Sequence, residues 1–153
     1  MTAKSLVQNG IYSHVQVYTG NGYGSATTSC IRRFTTTMTN IGASITYADS
    51  ATNGASFTVN VSGIYAISYS DRQSNICEFG ISRNASALTT QIASLAATEV
   101  LSATHQSTAA SRRAFVGWCG YLNAGDIIRA HGDTTGTGVD ADSKVSFAIT
   151  QIS

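Results

Sequence analysis

The sequence predicts an all-β sandwich of two sheets, and three features lead there. The first is Gly63-Ile64-Tyr65-Ala66-Ile67-Ser68-Tyr69, a strict period-2 run. In an extended chain Ile64, Ala66 and Ser68 point one way and Tyr65, Ile67 and Tyr69 the other. The second is Leu122-Asn123-Ala124-Gly125-Asp126-Ile127-Ile128, a strand, a tight turn and a strand. The third is the rest of the chain, where short β-type runs alternate with Gly, Asn, Ser and Asp clusters at the spacing of a sandwich or barrel. Bulk on both faces of the 63–69 run has a further consequence. A small sandwich covers only one face of a strand, so the second face calls for another subunit.

Taken in order, the first strand is Ile11–Tyr18, where Val15 and Val17 alternate with His14, Gln16 and Tyr18. Gly20 to Ser25 reads as a loop, because Gly-Asn-Gly breaks a ladder. Cys30–Met38 is the second strand, with bulk from Ile31, Phe34 and Met38. Ser44–Tyr47 is short, Ala48–Asn53 is a turn, and Ala55–Val61 follows. After Gly63–Ser70 comes Ile76–Ser82. The stretch from Thr89 to Ala103 is only loosely periodic, and its Thr and Ser residues weaken a helix. It is read as two strands, Leu88–Leu95 and Glu99–Ala103. Arg113–Leu122, Asp126–Ala130 and the closing Lys144–Ile152 complete about ten strands, with the loop Gly132–Asp142 before the last.

Composition narrows the function. The 153 residues suit one domain, 42% of them hydrophobic but only 11% charged, against a usual share of about 25%. A surface of hydroxyls and amides is expected, as on secreted and particle-borne β proteins. The net charge of +1 and the isolated pairs Arg32-Arg33 and Arg112-Arg113 form no phosphate-tracking stripe, so nucleic acid is not an expected partner. No run approaches the ~18 apolar residues of a membrane span, so no membrane insertion is expected. Met1–Asn9 lacks the apolar core of a secretory signal, which implies synthesis in a cytoplasm and release by lysis or assembly. Cys30, Cys77 and Cys119 have no CxxC spacing and sit in strand-like contexts, so buried free thiols are expected. A Cys77–Cys119 bridge is the alternative.

Chemistry-bearing constellations are sparse. His14, His105 and His131 are scattered, and no GxSxG elbow accompanies a serine. Glu78 and Glu99, the only glutamates, are not set across a groove by any pattern. Asp133, Asp140 and Asp142 match no calcium loop, so no metal site is assigned, and no cofactor is implied. Gly20-Asn21-Gly22-Tyr23-Gly24 has no Lys-Ser/Thr after it and is a turn, not a phosphate loop. The sequons at Asn60 and Asn84 are read as chance. Aromatics say more. In Arg113–Leu122, Phe115, Gly117, Cys119 and Tyr121 share one face, and Val116, Trp118, Gly120 and Leu122 the other. Tyr65, Ile67, Tyr69, Phe115 and Trp118 are therefore expected to divide between the core and an interface between subunits.

Two resemblances follow from quoted residues. Phe57-Thr58-Val59-Asn60-Val61-Ser62-Gly63-Ile64-Tyr65-Ala66-Ile67 and Leu122-Asn123-Ala124-Gly125-Asp126-Ile127-Ile128, with Phe147 in the closing strand, resemble the C1q/TNF-like jelly-roll superfamily. The motif positions are Phe57, Gly63, Tyr65, Gly125 and Asp126. Gly63 is read as a tight turn into its strand, Gly125 as a positive-φ turn position, and Asp126 as an acceptor for backbone N–H groups. Ile67 departs from the aromatic usual there. The resemblance implies a ten-stranded jelly roll, residues 11–153, that forms a homotrimer. A second likeness covers Val15–Gly24, Ile31–Phe34, Tyr47–Thr52 and Ala124–Arg129, which look like phage tail-fibre C-terminal modules and head fibre or decoration proteins.

Together these imply a non-enzymatic virion structural protein, displayed on the particle surface to decorate the capsid or adhere to a host. Residues 1–10 would join the trimer to other virion proteins. Loops carrying Tyr23, His131 and Asp133 would meet a host surface glycan or the capsid. A soluble lectin-like carbohydrate-binding module is the alternative. A secreted cytokine-like ligand is disfavoured, because neither a signal segment nor a collagen-like stalk is seen.

Overall fold

A computed structural model describes residues 12–24, 30–72, 77–106, 113–133 and 145–153. Among them are ten strands: β1 His14–Tyr23, β2 Arg32–Ile41, β3 Ile45–Ala48, β4 Ser56–Val59, β5 Gly63–Arg72, β6 Cys77–Arg83, β7 Val100–Gln106, β8 Arg113–Leu122, β9 Ile127–Gly132 and β10 Ser146–Gln151. They form two five-stranded sheets, the first ordered β2-β1-β10-β5-β8 and the second β3-β4-β9-β6-β7. All the pairings between these strands are antiparallel. The last strand lies in the middle of the first sheet, between β1 and β5, so the chain wraps as a jelly roll.

The pleat explains which residues face in. In β5, Tyr65, Ile67, Tyr69 and Asp71 are buried while Ile64, Ala66, Ser68 and Ser70 are half-buried. Sequence alternation grouped these two rows correctly, and Tyr65, Ile67 and Tyr69, expected to divide between core and interface, all enter the core. Register then aligns Val17 of β1, Phe147 of β10 and Tyr69 of β5 side by side. Phe147 stacks on Phe57 of the second sheet with ring centroids 4.3 Å apart, and lies 5.7 Å from Tyr69 and 6.1 Å from Phe34. Tyr69 in turn meets the edge of Phe79 across the sandwich at 5.2 Å. This aromatic seam joins the sheets, with Val15, Val59, Ile81, Leu122, Ile128 and Ile149 filling around it.

Three expectations are corrected, and one glycine gains a second reason. Leu88–Leu95 is no strand. It belongs to a crossing between β6 and β7 whose regular part is one 3-10 turn, Ile92–Ser94. Its lone buried anchor, Ile92, has no alternating partners to build a ladder. Of the expected Gly20–Ser25 loop, the part up to Tyr23 is instead the end of β1, and Ser25 lies outside the described residues. A register irregularity between Gly20 and Tyr23, with Gly22 at φ +71, absorbs the break within the ladder. Gly63, read as the entry to its strand, also sits where the chain's end passes close. A Cβ there would overlap the carbonyl oxygen of Ser153, so glycine is required by the close pass of the last residue. Cys119 is exposed, while Cys30 and Cys77 are buried and all three thiols are free.

The 122–128 turn matches its reading. Gly125 has φ +96, and Asp126 Oδ2 accepts the Asn123 N–H at 2.9 Å. Asn84 Nδ2 donates to the other carboxylate oxygen at 2.7 Å, which ties this turn to the end of β6.

Replacing Phe147 removes the ring shared by both sheets. Phe147→Ala is expected to cost about 3–5 kcal/mol. Guanidinium unfolding checks this, as a fall in midpoint with an unchanged slope.

Candidate functional site

Among the described residues no hydrolytic or metal constellation converges. Among the described residues no group of three or more His, Cys, Asp and Glu could hold a metal ion. Asp140 and Asp142 lie outside those residues. On the first sheet His14 Nδ1 lies 2.6 Å from Thr150 Oγ1, a cross-strand pair in register. Among the described residues no carboxylate orients His14, and the pair is a structural hydrogen bond between strands. Beside it, Tyr12, Thr150, Gln151 and Ile152 line an open cleft of about 400 Å³ whose walls are chiefly apolar.

The more informative feature is the whole outer face of the first sheet. Paired registers place Ile41, His14, Thr150, Ala66 and Cys119 in one row across the strands. The next row is Thr39, Gln16, Ala148, Ser68 and Gly117, and a further row is Thr36, Tyr18, Ser146, Ser70 and Phe115. Ile64 and Tyr121 extend the face at one margin. None of these residues is Asp, Glu, Lys or Arg; charge enters at the opposite margin, with Arg72 facing Arg113 and with Arg33 on the outward side of β2. Phe115 is 63% exposed and Tyr121 56%, with Ile41 and Ile152 also exposed. Of the five residues expected to divide between core and interface, Phe115 thus lies outside and Trp118 packs partly buried against the core. Alternation grouped Phe115 with Tyr121 but could not say which group faced out. The exposed Tyr12 and Ile152, next to strand ends, carried no sequence signal at all.

At the end of the sandwich where Tyr23, Arg32, Asp71 and Asp133 gather, a charged pair is enclosed. Arg32 and Asp71 are both fully buried, with Nε 3.1 Å from Oδ2 and Nη2 donating to Oδ1 at 3.2 Å. The Tyr69 hydroxyl donates to Oδ2 at 2.5 Å, and the Arg72 N–H to Oδ1 at 2.7 Å. Burial, then the Asp71 charge, holds the Tyr69 phenol well above its ordinary value. Burial pushes the Cys77 thiol up to about 11, helped by Asp133 and Asp71. The sequence contained a sign of this cluster. Asp71 continues the inward row of Tyr65, Ile67 and Tyr69, and Arg32 shares the inward phase of Phe34. Read only as half of an isolated basic pair with Arg33, Arg32 was missed.

The three loop candidates part company. The Tyr23 ring lies under the Arg32 guanidinium, 5.4 Å from its centre, and packs against Gly132. Asp133 accepts from the Glu78 N–H through Oδ2 at 3.4 Å and stays near that end. His131 is not on a presenting loop. It is fully buried on β9, between Ser82 Oγ at 3.0 Å and the Thr90 carbonyl at 2.7 Å. Both loops to which these residues were assigned run into residues outside those described, as do residues 1–10.

No protein-family model and no curated protein matches this chain. Solved structures do. Murine APRIL at pH 8.0 is 14% identical over 92% of this chain and 99% of that one, with a TM-score of 0.67. GITRL from pika is 11% identical over 94% and 97%, with a TM-score of 0.54. Both are TNF-family jelly rolls, so the fold of this chain is the TNF-like jelly roll read from its motifs. At these identities the likeness concerns the fold alone, and the phage-fibre resemblance rests on the sequence.

Asp71→Asn leaves the Arg32 charge enclosed without its counter-ion. It is expected to cost about 3–5 kcal/mol in chemical denaturation, whereas the double replacement Arg32→Met with Asp71→Leu is expected to recover most of that loss.

Proposed function

We propose that this protein is a non-enzymatic homotrimer closed on the outer face of its first sheet. We further propose that it is displayed on a phage particle as a head fibre, decoration protein or fibre tip. The observation that carries the trimer is the uncharged face itself. Rows of Thr, Ser, Ala, Gly and aromatic residues, with His14, Gln16, Ile41 and Cys119 among them, span five strands without a carboxylate or ammonium group to desolvate. Covering the wet parts of Phe115 and Tyr121 takes on the order of 100 Å² per ring out of water, about 2–3 kcal/mol gross each. Small residues such as Gly117 and Ala148 let a neighbouring backbone approach closely. Closed cyclic symmetry then repeats the contact without leaving a free face.

Display on a particle draws on other support. The 11% charged composition leaves a hydroxyl- and amide-rich exterior, and the residues quoted for the phage modules span most of the chain. In such an assembly the connections at the Tyr23–Asp133 end are presented three times, so individually weak contacts with a capsid or surface sugar add as avidity. Residues 1–10 are the segment assigned to attachment.

Light scattering on the intact chain is expected to report three times the 16.0 kDa of one copy. A stable 16.0 kDa species at micromolar concentration overturns the trimer. Phe115→Asp is expected to release monomers that keep the β-sheet signal. With them, the Cys119 thiol is expected to become at least about tenfold faster towards a soluble disulfide reagent, since exposure controls its access. The virion reading is tested separately. The protein is expected to co-sediment with purified particles and to lose this on removal of residues 1–10; a saturable glycan-array signal without particle association favours the soluble lectin instead.

A further inference from the structure

Between β6 and β7, residues 84–99 cross the outside of the second sheet as a strap. Its ends are tied locally: the Arg83 N–H donates to the Glu99 carbonyl at 2.8 Å, and the Glu99 carboxylate accepts from Ser86 N–H at 2.7 Å and Ala96 N–H at 3.3 Å. Three contacts hold the middle. Ile92 is buried over Gly80, where a Cβ would crowd its Cδ1. The Cys30 thiol donates to the Thr89 carbonyl at 3.3 Å. The His131 ring meets the Thr90 carbonyl at 2.7 Å. A carbonyl only accepts, so Nε2 carries the proton, and Nδ1 of the neutral ring accepts from the Ser82 hydroxyl at 3.0 Å. Of the three contacts, the imidazole is the one whose charge ordinarily changes between pH 5 and 8.

We propose that His131 is an acid-sensitive latch, whose protonation frees residues 87–95 of the strap from the second sheet while the sandwich stays folded. The ring is enclosed from several sides. Its own strand contributes Arg129, which opposes a second positive charge, and Asp133, just past the end of that strand, favours one; the far end of the strap contributes Glu99, which also favours it. From β6 comes the uncharged Ser82 hydroxyl, and from the strap the Thr90 carbonyl, whose bond from Nε2–H persists on protonation and also favours the charge. Burial outweighs these and holds the imidazole below its ordinary value. The released form titrates near 6.5, so the latch is fully closed above that pH and weakens as pH falls through the lower value of the closed form. Release uncovers Gly80 together with Ile92 itself, on the sheet opposite the proposed trimer face. The inference therefore stands apart from the oligomeric state.

Hydrogen exchange on the full chain tests it, at about pH 7.5 and about pH 5, with rates corrected for intrinsic chemistry. Peptides spanning 85–98 are expected to lose about tenfold protection at the lower pH, while those spanning 63–72 and 113–122 keep theirs. His131→Gln retains an N–H donor for Thr90 and is expected to abolish the pH dependence. Should that variant not fold, an NMR titration of the wild-type His131 ring serves in its place, with a midpoint expected below 6.5 that coincides with strap release. Equal strap protection at both pH values, a midpoint at or above 6.5, or simultaneous loss in the core strands overturns the proposal.

Discussion

Phe147 stacked on Phe57 is the contact through which the two sheets recognise each other, and the rest of the architecture is arranged by it. Phe147 sits in β10, the central strand of the first sheet, so its inward phase propagates through the ladder in both directions. A strand has only two phases, and slipping one residue would turn every ring outward. Once Phe147 faces Phe57, register commits Val17 and Tyr69 to the core as well. The same step commits Gln16, Ala148 and Ser68 to the outside, one residue along. Thus the uncharged face is a consequence of the core, seen from the other side of the pleat.

The sandwich treats its two outer faces differently. Over part of the second sheet the chain supplies its own cover, the strap anchored by Ile92, Thr89 and Thr90. That cover accounts for the burial of Gly80, Ser82 and His131, which lie on the outer phase of β6 and β9. Over the first sheet no described segment crosses. The proposed neighbouring subunits would do there in trans what the strap does in cis. This division also explains why His131 is a poor ligand residue: its two nitrogens are already engaged in holding the strap.

Charge inside the fold follows a related logic. Arg33 and Asp49 form a pair at 2.8 Å that is partly exposed, and such pairs add little. Arg32 and Asp71 make a similar contact with no access to water, where loss of either partner is costly. Adjacent arginines thus carry opposite consequences because alternation sends one in and one out. The Tyr69 hydroxyl, on a ring that also belongs to the aromatic seam, links the buried pair to the core.

Much of this was legible in the residues. Alternation over 63–69 and 113–122 identified strands and grouped their side chains correctly. The Leu122–Ile128 motif identified its turn, down to the conformation of Gly125 and the acceptor role of Asp126. Periodicity is a property of one strand, and it is readable wherever a strand lies between unlike faces. It fails where burial comes from elsewhere in the chain. Nothing near Gly63 announces that Ser153 passes against it, nothing near His131 announces Thr90, and Leu88–Leu95 looked like a strand because its support is a sheet it only lies upon. By itself, the sequence determined the class of fold, the strand phases and the shortage of surface charge, since each depends on residues close along the chain. Which phase faces in, which charges are enclosed and which face stays bare were decided only by the tertiary structure, because each requires two distant segments to meet.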